Sequence, residues 1–480
     1  MSEAAAGRDK RWIALILLCS AQFVVVLDAS IVNVALPTIG EALRFSESGL
    51  PWVVNAYVLT FGGFLLLGGR LADLLGRRRV FMFGLVLFAL ASLAGGLAAN
   101  SGQLIAARAV QGLGAAILSP AALSIVATTF RAGAERNNAL GIWGAVAGSG
   151  GAAGVLLGGI LTEGLGWEWV LWVNVPIGIA AAALAPSLIA ESRAEHEVRH
   201  FDLAGAVAIT LGLSALVFAL LDAEDAGWGS AQTVLSLLGS ALLLIAFVAI
   251  ERRSRAPLVP FSIFRVRTVT GANVVGILVG ASLFSMFFFI SLYMQQVLGY
   301  TPIHAGLSYL PLAVSIILSA GIASALVTRV GFKPILAAGM LLIALGLLWF
   351  SRVSADGSFL ADILGPSLLA AVGLGFAFVP VTIAAVSGIE DREQGLASGL
   401  INTSQQVGGA LGLALLAAIA NGTIDESHDP AVLTEGFRHA FLGGAGLAVL
   451  GLIATLLLIR SSDSRAHTEV GREPAAEQVA

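Results

Sequence analysis

Charge is scarce in this chain. Only 12% of its 480 residues are Asp, Glu, Lys or Arg, about half the share of roughly 25% found in soluble domains. With 57% of residues hydrophobic, a water-soluble fold would have to expose apolar surface on a scale that drives association. A soluble globular protein is therefore excluded. Cysteine is rarer still: Cys19 stands alone, so there is no intramolecular disulfide framework. The 26 basic and 30 acidic residues leave a net charge of -4, without the basic surplus that marks nucleic-acid binding, and no nucleic-acid partner is expected. Histidine is limited to His196, His200, His304, His428, His439 and His467, all in loops, at span ends or in the tail, and none in a His-Glu-x-x-His pattern. No metal and no cofactor follow from them. A Gly-x-x-x-x-Gly-Lys-Ser/Thr phosphate loop is missing too, so ATP is not the direct energy source. Without a nucleophile and base placed together, no enzyme activity is expected.

What fills the chain is apolar runs long enough to cross a bilayer, which takes about 20 residues. They lie near 12–37, 50–69, 80–99, 103–129, 138–162 and 168–190, then 203–221 and 231–250, then 268–298, 303–328, 333–350, 361–386, 396–420 and 438–460. The first, from about Trp12 to Pro37, is too long for a signal-peptide core and reads as a retained span. Basic residues test the count, because Lys and Arg collect on cytoplasmic loops. With the N-terminus inside, only Arg44, Arg352 and Arg438 fall on outer loops, and only Arg108 falls within a span. Acidic residues such as Glu41, Glu47, Asp222, Glu224, Asp225, Asp425 and Asp429 gather on the outer side. The expectation is an all-α membrane protein with 14 transmembrane helices and both termini cytoplasmic, seated in the lipid bilayer of the cytoplasmic (inner) cell membrane as a multi-pass protein. The longest inner connections flank residues 203–250. This gives a 6 + 2 + 6 arrangement: a bundle at 1–190, a two-helix insert with linkers at 191–267, a bundle at 268–460, and a disordered polar tail at 461–480.

Inside the spans, Asp28 is the single well-embedded acid and Arg108 the single embedded base. Asp28 lies nine residues before Pro37, about 13 Å from the outer end, and Arg108 about 9 Å along its own span, so the depths are compatible. A carboxylate at membrane depth is costly and faces a cavity or a partner. A functional group and a packing ion pair both fit. Between spans 2 and 3 runs Gly69-Arg70-Leu71-Ala72-Asp73-Leu74-Leu75-Gly76-Arg77-Arg78-Arg79, where Gly76 permits a tight turn and the arginines suit an anionic leaflet. Asp73 is the odd acid there, fitting either a local ion pair or a moving part. Gln22, Asn33, Asn55, Tyr57, Gln111, Asn273, Gln295, Gln296, Asn402, Gln405 and Gln406 are candidates for a substrate cavity, since facing lipid would be costly. Interhelical hydrogen bonds explain any single one equally well. Phe284, Phe287, Phe288, Phe289 and Tyr293 form either an apolar substrate wall or an ordinary core stripe.

The 69–79 loop is similar to the signature loop of the major facilitator superfamily. Leu27-Asp28-Ala29-Ser30-Ile31-Val32-Asn33-Val34-Ala35-Leu36-Pro37 resembles the first-helix signature of its fourteen-spanner drug:proton antiporters, with Ser30 where Thr is usual. Leu104, Arg108, Gln111, Gly112 and Gly114 match the superfamily's helix 4 pattern. Gly150, Gly154, Gly158 and Gly159 match the helix 5 antiporter signature, with Val155 in place of Pro, which leaves any bend to the glycines between Gly141 and Gly159. In the second half, Thr328-Arg329-Val330-Gly331-Phe332-Lys333 repeats the loop with Thr in the Asp position, so a gate built on it is asymmetric. The resemblance implies a major facilitator fold. Asp28 and Arg108 would line a central cavity and couple to protons, and Asp73 with Arg77 and Arg78 would hold the inner gate. The implied activity is export of small amphiphilic molecules (antibiotics, drugs or secondary metabolites) in exchange for protons, by alternating access. A dedicated exporter or a proton symporter of one metabolite is the alternative. Asn55 stands where cation-exporting relatives carry an acid, which favours neutral, zwitterionic or singly charged substrates.

Overall fold

The computed structural model describes residues 2–45, 49–131, 133–192, 202–254, 257–390, 393–424 and 429–472, and its regular elements are all helical. Glu47, His196, His200, Asp425 and His428 lie outside the described residues. The first half comprises α1 (Ser2–Leu43), α2 (Trp52–Leu75), α3 (Arg77–Gly96), α4 (Ser101–Thr129), α5 (Ala134–Gly164), and an interrupted pair, α6 (Trp169–Trp172) and α7 (Asn174–Leu188). A hairpin follows, α8 (Leu203–Ala226) and α9 (Ala231–Glu251). The second half comprises α10 (Arg267–Leu292), α11 (Pro302–Ser308) with α12 (Leu310–Val330), α13 (Phe332–Phe350), α14 (Gly365–Val386), α15 (Gln394–Ile424) and α16 (Pro430–Leu458). A short α17 (Ser461–Arg472) ends it.

Among the described residues, thirteen helices are long and apolar enough to cross a bilayer, and the number rises to 14 when the arms of α5, Ala134–Gly151 and Ala153–Gly164, bent by 44°, are counted as one span. The bend falls just after Ser149-Gly150-Gly151, a Gly/Ser cluster of the kind that kinks helices, so it forms ahead of Val155 and without a proline. Two expectations need correcting. The last span begins at Pro430, with Asp429 capping it through Ala431 N at 2.8 Å. Arg438 therefore lies on α16 rather than in an outer loop, and its Nε donates to Ser351 O at 3.0 Å. The tail is also not structureless throughout: Ser461–Arg472 is a helix whose Ser464 Oγ accepts from Lys333 N at 3.1 Å, and Thr268 Oγ1 donates to Asp463. Sequence composition alone hides that docking, because α17 is polar and its stability comes from the loop it covers.

The helices pack through small residues, as expected where lipid provides no hydrophobic drive. Gly150, Gly154 and Gly158 repeat every fourth residue along α5 and press on α1. A Cβ at these positions would meet Val26, Ser30 with Leu27 O, and Ile31 O respectively. The second half repeats the device, with Gly408 and Gly412 of α15 against Ile277 and Ala281 of α10. The two halves meet where α5 touches α11, α12 and α14, and where α15 touches α2 and α4. The α8–α9 hairpin sits beside this seam, α8 lying against both α2 and α15. Because Gly154 backs directly onto the Leu27–Ser30 turn, Gly154→Val should sharply reduce the folded fraction or thermal midpoint of the purified protein. Gly321→Ala on α12, where nothing stands within 4 Å of an added Cβ, should leave both unchanged.

Candidate functional site

A closed knot of polar side chains lies inside the first bundle. Asp28 of α1 is fully buried, as is Arg108 of α4, and Arg108 Nη1 donates to Asp28 Oδ2. One helical turn along α4, Gln111 donates Nε2 to Asp28 Oδ1 at 2.8 Å. Asn174, the first residue of α7, donates Nδ2 to the same oxygen at 2.7 Å. Ser92 of α3 closes the figure: its Oγ accepts from Gln111 Nε2 at 3.1 Å and Asn174 Nδ2 at 3.0 Å, and donates to Leu171 O at 2.7 Å. Arg108 is held from three more directions. Its Nε donates to Val53 O at 3.0 Å, its Nη1 to Gln111 Oε1 at 2.7 Å, and its guanidinium stands 4.4 Å over the ring of Tyr57. Tyr57 in turn donates its hydroxyl to Val25 O at 3.2 Å. Every group turned toward Asp28 is a donor, the complement of an ionised carboxylate, and the cation sits where a cation–π contact adds to its anchoring.

Local sequence explains the geometry. Arg108 and Gln111 stand at i and i+3 on α4 and so share a face. The glycines of α5 let α1 approach closely, which seals Asp28 from lipid. The helical hydrogen-bond ladder breaks at Val173, and Asn174 opens α7 there; Pro176, three residues past Val173, has no N–H to bond Trp172 O. Sequence reasoning found Asp28, Arg108, Tyr57 and Gln111 but missed Ser92 and Asn174. An amide inside an apolar run two residues before a proline was the available signal.

A second constellation lies at the end of the bundle that carries the 69–79 loop. Asp73 is buried at the foot of α2 and takes three donors: Arg77 Nη2 at 2.9 Å, and the backbone amides of Gly395 at 3.0 Å and Leu396 at 2.9 Å. Those amides are the free N–H groups of the first turn of α15, where a carboxylate is favoured by the helix dipole. Asp73 thus ties the first half to the second. Gly69 allows the crossing, since a Cβ there would strike Gly395 O. Gly76 takes φ 107° and leaves room for Glu191. Glu191 accepts from Arg78 N at 3.1 Å and pairs with the Arg78 and Arg79 side chains at 3.7 and 3.6 Å. The second half shows the same plan in other residues. Thr328, in the Asp73 position, accepts from Asn137 Nδ2 of α5 at 3.0 Å, and Lys333 N meets Ser464 where Arg78 N meets Glu191. A charge-assisted tie on one side thus faces a neutral one on the other.

The remaining candidates scatter. Gln22 is buried and accepts from Ser119 Oγ at 2.9 Å. Gln405 is buried with its Nε2 unpartnered, and Asn55 is half-buried. Asn33 is exposed, its Nδ2 on Ala29 O at 3.3 Å. Gln295, exposed, and Asn402, half-buried, bond within their own helices to Ser291 and Ser398. Asn273 accepts from Ser404 Oγ at 2.9 Å. None of these is hydrogen-bonded to the Asp28 knot. The aromatic stripe divides: Phe289 packs among Phe437 and Phe441 and Tyr293 is buried, while Phe284 and Phe288 are each 39% exposed. Exposed His304 stacks on Tyr300 with ring centroids 4.0 Å apart.

Comparison with known proteins agrees with this architecture. The family model described as Major Facilitator Superfamily matches residues 18–413. The cephamycin export protein CmcT of Amycolatopsis lactamdurans is 44% identical over 434 residues, covering 90% of this chain and 89% of that protein. The puromycin resistance protein pur8 of Streptomyces alboniger is 39% identical over 466 residues, covering 95% and 92%. Among solved structures, the human organic anion transporter MFSD10 superimposes with a TM-score of 0.66 at 14% identity, over 92% of this chain and 98% of that one. The proton:xylose symporter XylE gives 0.67 at 13%, over 95% and 97%. This multi-pass membrane protein belongs to the Major Facilitator Superfamily.

Proposed function

We propose that this chain exports small amphiphilic organic compounds, antibiotics or secondary metabolites among them, across the cytoplasmic membrane in exchange for protons. The observation that carries the reading is the Asp28 knot: one carboxylate, wholly buried at membrane depth and bonded to one cation. The proton affinity of a carboxylate in a low-dielectric site depends on access to water and on the distance to its cation, so relative movement of either is the means of coupling in this reading. Relatives named for cephamycin export and for puromycin and lincomycin resistance support the substrate class. Asn33, Asn55, Asn402 and Gln405 are the cavity positions this reading assigns to substrate contact. A susceptibility panel in a pump-deficient host tests it. Expression should raise the inhibitory concentration of at least one compound class among puromycin, lincosamides and cephamycins, and protection against none of them would overturn it.

In this reading the end bearing the 69–79 loop is cytoplasmic, as the sorting of Lys and Arg implies, and Asp73 holds that end shut while the cavity opens outward. A carboxylate on a helix N-terminus contributes up to about 2 kcal/mol, and loss of about 1.4 kcal/mol of it in Asp73→Asn should shift the closed-to-open ratio roughly tenfold. The check is maleimide labelling of Ser398→Cys, a buried position on α15, in a Cys19→Ser background. Labelling should quicken about tenfold with Asp73→Asn, by the same arithmetic. Unchanged labelling would leave the loop a topology signal only.

A further inference from the structure

Within the Asp28 knot the two amides are not equivalent. Gln111 spends its Nε2 on Asp28 and Ser92 and its Oε1 on Arg108 Nη1 at 2.7 Å, so its orientation is fixed from both ends. Asn174 spends its Nδ2 on the same two acceptors, Asp28 Oδ1 and Ser92 Oγ, but its buried Oδ1 has no hydrogen-bond partner. Asn174 also opens α7 just past the interruption at Val173, and Ser92 grips Leu171 O on the other side of it. The charged and titratable groups facing Asp28 are Arg108 of α4, paired with it, and Tyr57 of α2, beneath the guanidinium. No other ion pair or hydrogen bond links Asp28 to a titratable side chain among the described residues.

We propose that Asn174 is the positioning residue that reads the charge of Asp28, by rotating its amide when the carboxylate takes up a proton. The inference rests on Asp28 being the proton-exchanging group. An ionised carboxylate only accepts, so Asn174 presents its Nδ2. Once a proton from water sits on Oδ1, that oxygen becomes a donor, and a fixed Nδ2–H would face an O–H. Gln111 cannot turn without leaving Arg108 unsatisfied. Asn174 can, because nothing holds its Oδ1, and a half-turn of the amide offers that oxygen to the new O–H while the Ser92 hydroxyl swings to follow it. Ser92 then releases Leu171 O. A proton on α1 is thereby translated into a changed hydrogen bond at the interruption between α6 and α7, whereas Gln111 keeps Arg108 in place in both states.

Infrared difference titration of the full chain, reconstituted without substrate, tests this directly. In wild type carrying 13C-asparagine, a protonated-carboxyl band should appear on acidification. An isotope-sensitive asparagine side-chain carbonyl band should shift with the same midpoint. Asn174 is the asparagine bonded to Asp28, so both changes should vanish together in Asp28→Asn, and the asparagine change alone in Asn174→Leu. A carboxyl band that is lost in Asp28→Asn without any linked asparagine shift in wild type overturns the role of Asn174 while sparing Asp28. If no carboxyl band depends on Asp28 at all, the proton-site reading fails first.

Discussion

Asp28→Asn should abolish accumulation of substrate against a gradient while leaving a folded protein that still exchanges substrate across the membrane in counterflow. The substitution keeps the size of the side chain and its acceptor oxygen, so Gln111 and Asn174 retain a partner. It removes the negative charge that opposes Arg108. Breaking a buried pair by removing one partner commonly costs about 3–5 kcal/mol, but Arg108 also keeps Val53 O, Gln111 Oε1 and the Tyr57 ring. Those are the anchors the proposed cycle leaves in place when Asp28 carries a proton, and they let the variant fold. Counterflow needs no net proton movement and should persist. Loss of counterflow together with loss of folded protein would instead mark the knot as packing.

Arg108 should be at least as sensitive, for the opposite reason. Arg108→Leu leaves the Asp28 carboxylate buried with two neutral donors and no cation, which either takes up a proton permanently or destabilises the bundle by about 3–5 kcal/mol. Proton-driven accumulation should fall to background in both cases. Arg108→Lys keeps a charge but lacks the fork that reaches Asp28, Gln111 and Val53 together, so it should retain partial activity. The double variant Asp28→Asn/Arg108→Leu removes both charges at once. Its thermal midpoint should recover relative to Arg108→Leu alone, because neither charge is left uncompensated, yet accumulation should stay absent. Accumulation by the double variant would show that the pair serves stability only.

Much of this architecture was legible from residue order because membrane physics is strict. Span positions follow from apolar length, and the embedded Asp28 and Arg108 stand out because charge at that depth is rare. Matching their depths brought them to one level, and the structure joins them. What the sequence hid was context. Ser92 and Asn174 look like ordinary small polar residues until α4 and α7 pack on α1 and α3 packs on both of them. Gln22, nominated for the cavity, is tied to Ser119, because a polar residue on a span announces only that it needs a partner. The bend in α5 came from Gly/Ser content instead of proline, and the docking of α17 on Gly331 and Lys333 depends on a surface that only the folded second half presents. The asymmetry expected from Thr328 is visible in detail: Asp73 meets two backbone amides of α15, and Thr328 meets one side-chain amide of α5.

The central claim is that export is exchanged for protons at Asp28, and dye-reported proton movement in everted membrane vesicles measures it most directly. The vesicles are first acidified inside by respiration, and the compound giving the largest resistance in the susceptibility panel is then added. Wild type should let protons out and collapse part of the gradient as the compound enters, while vesicles carrying equal amounts of folded Asp28→Asn should hold theirs. Proton release from Asp28→Asn equal to that of wild type would contradict the account.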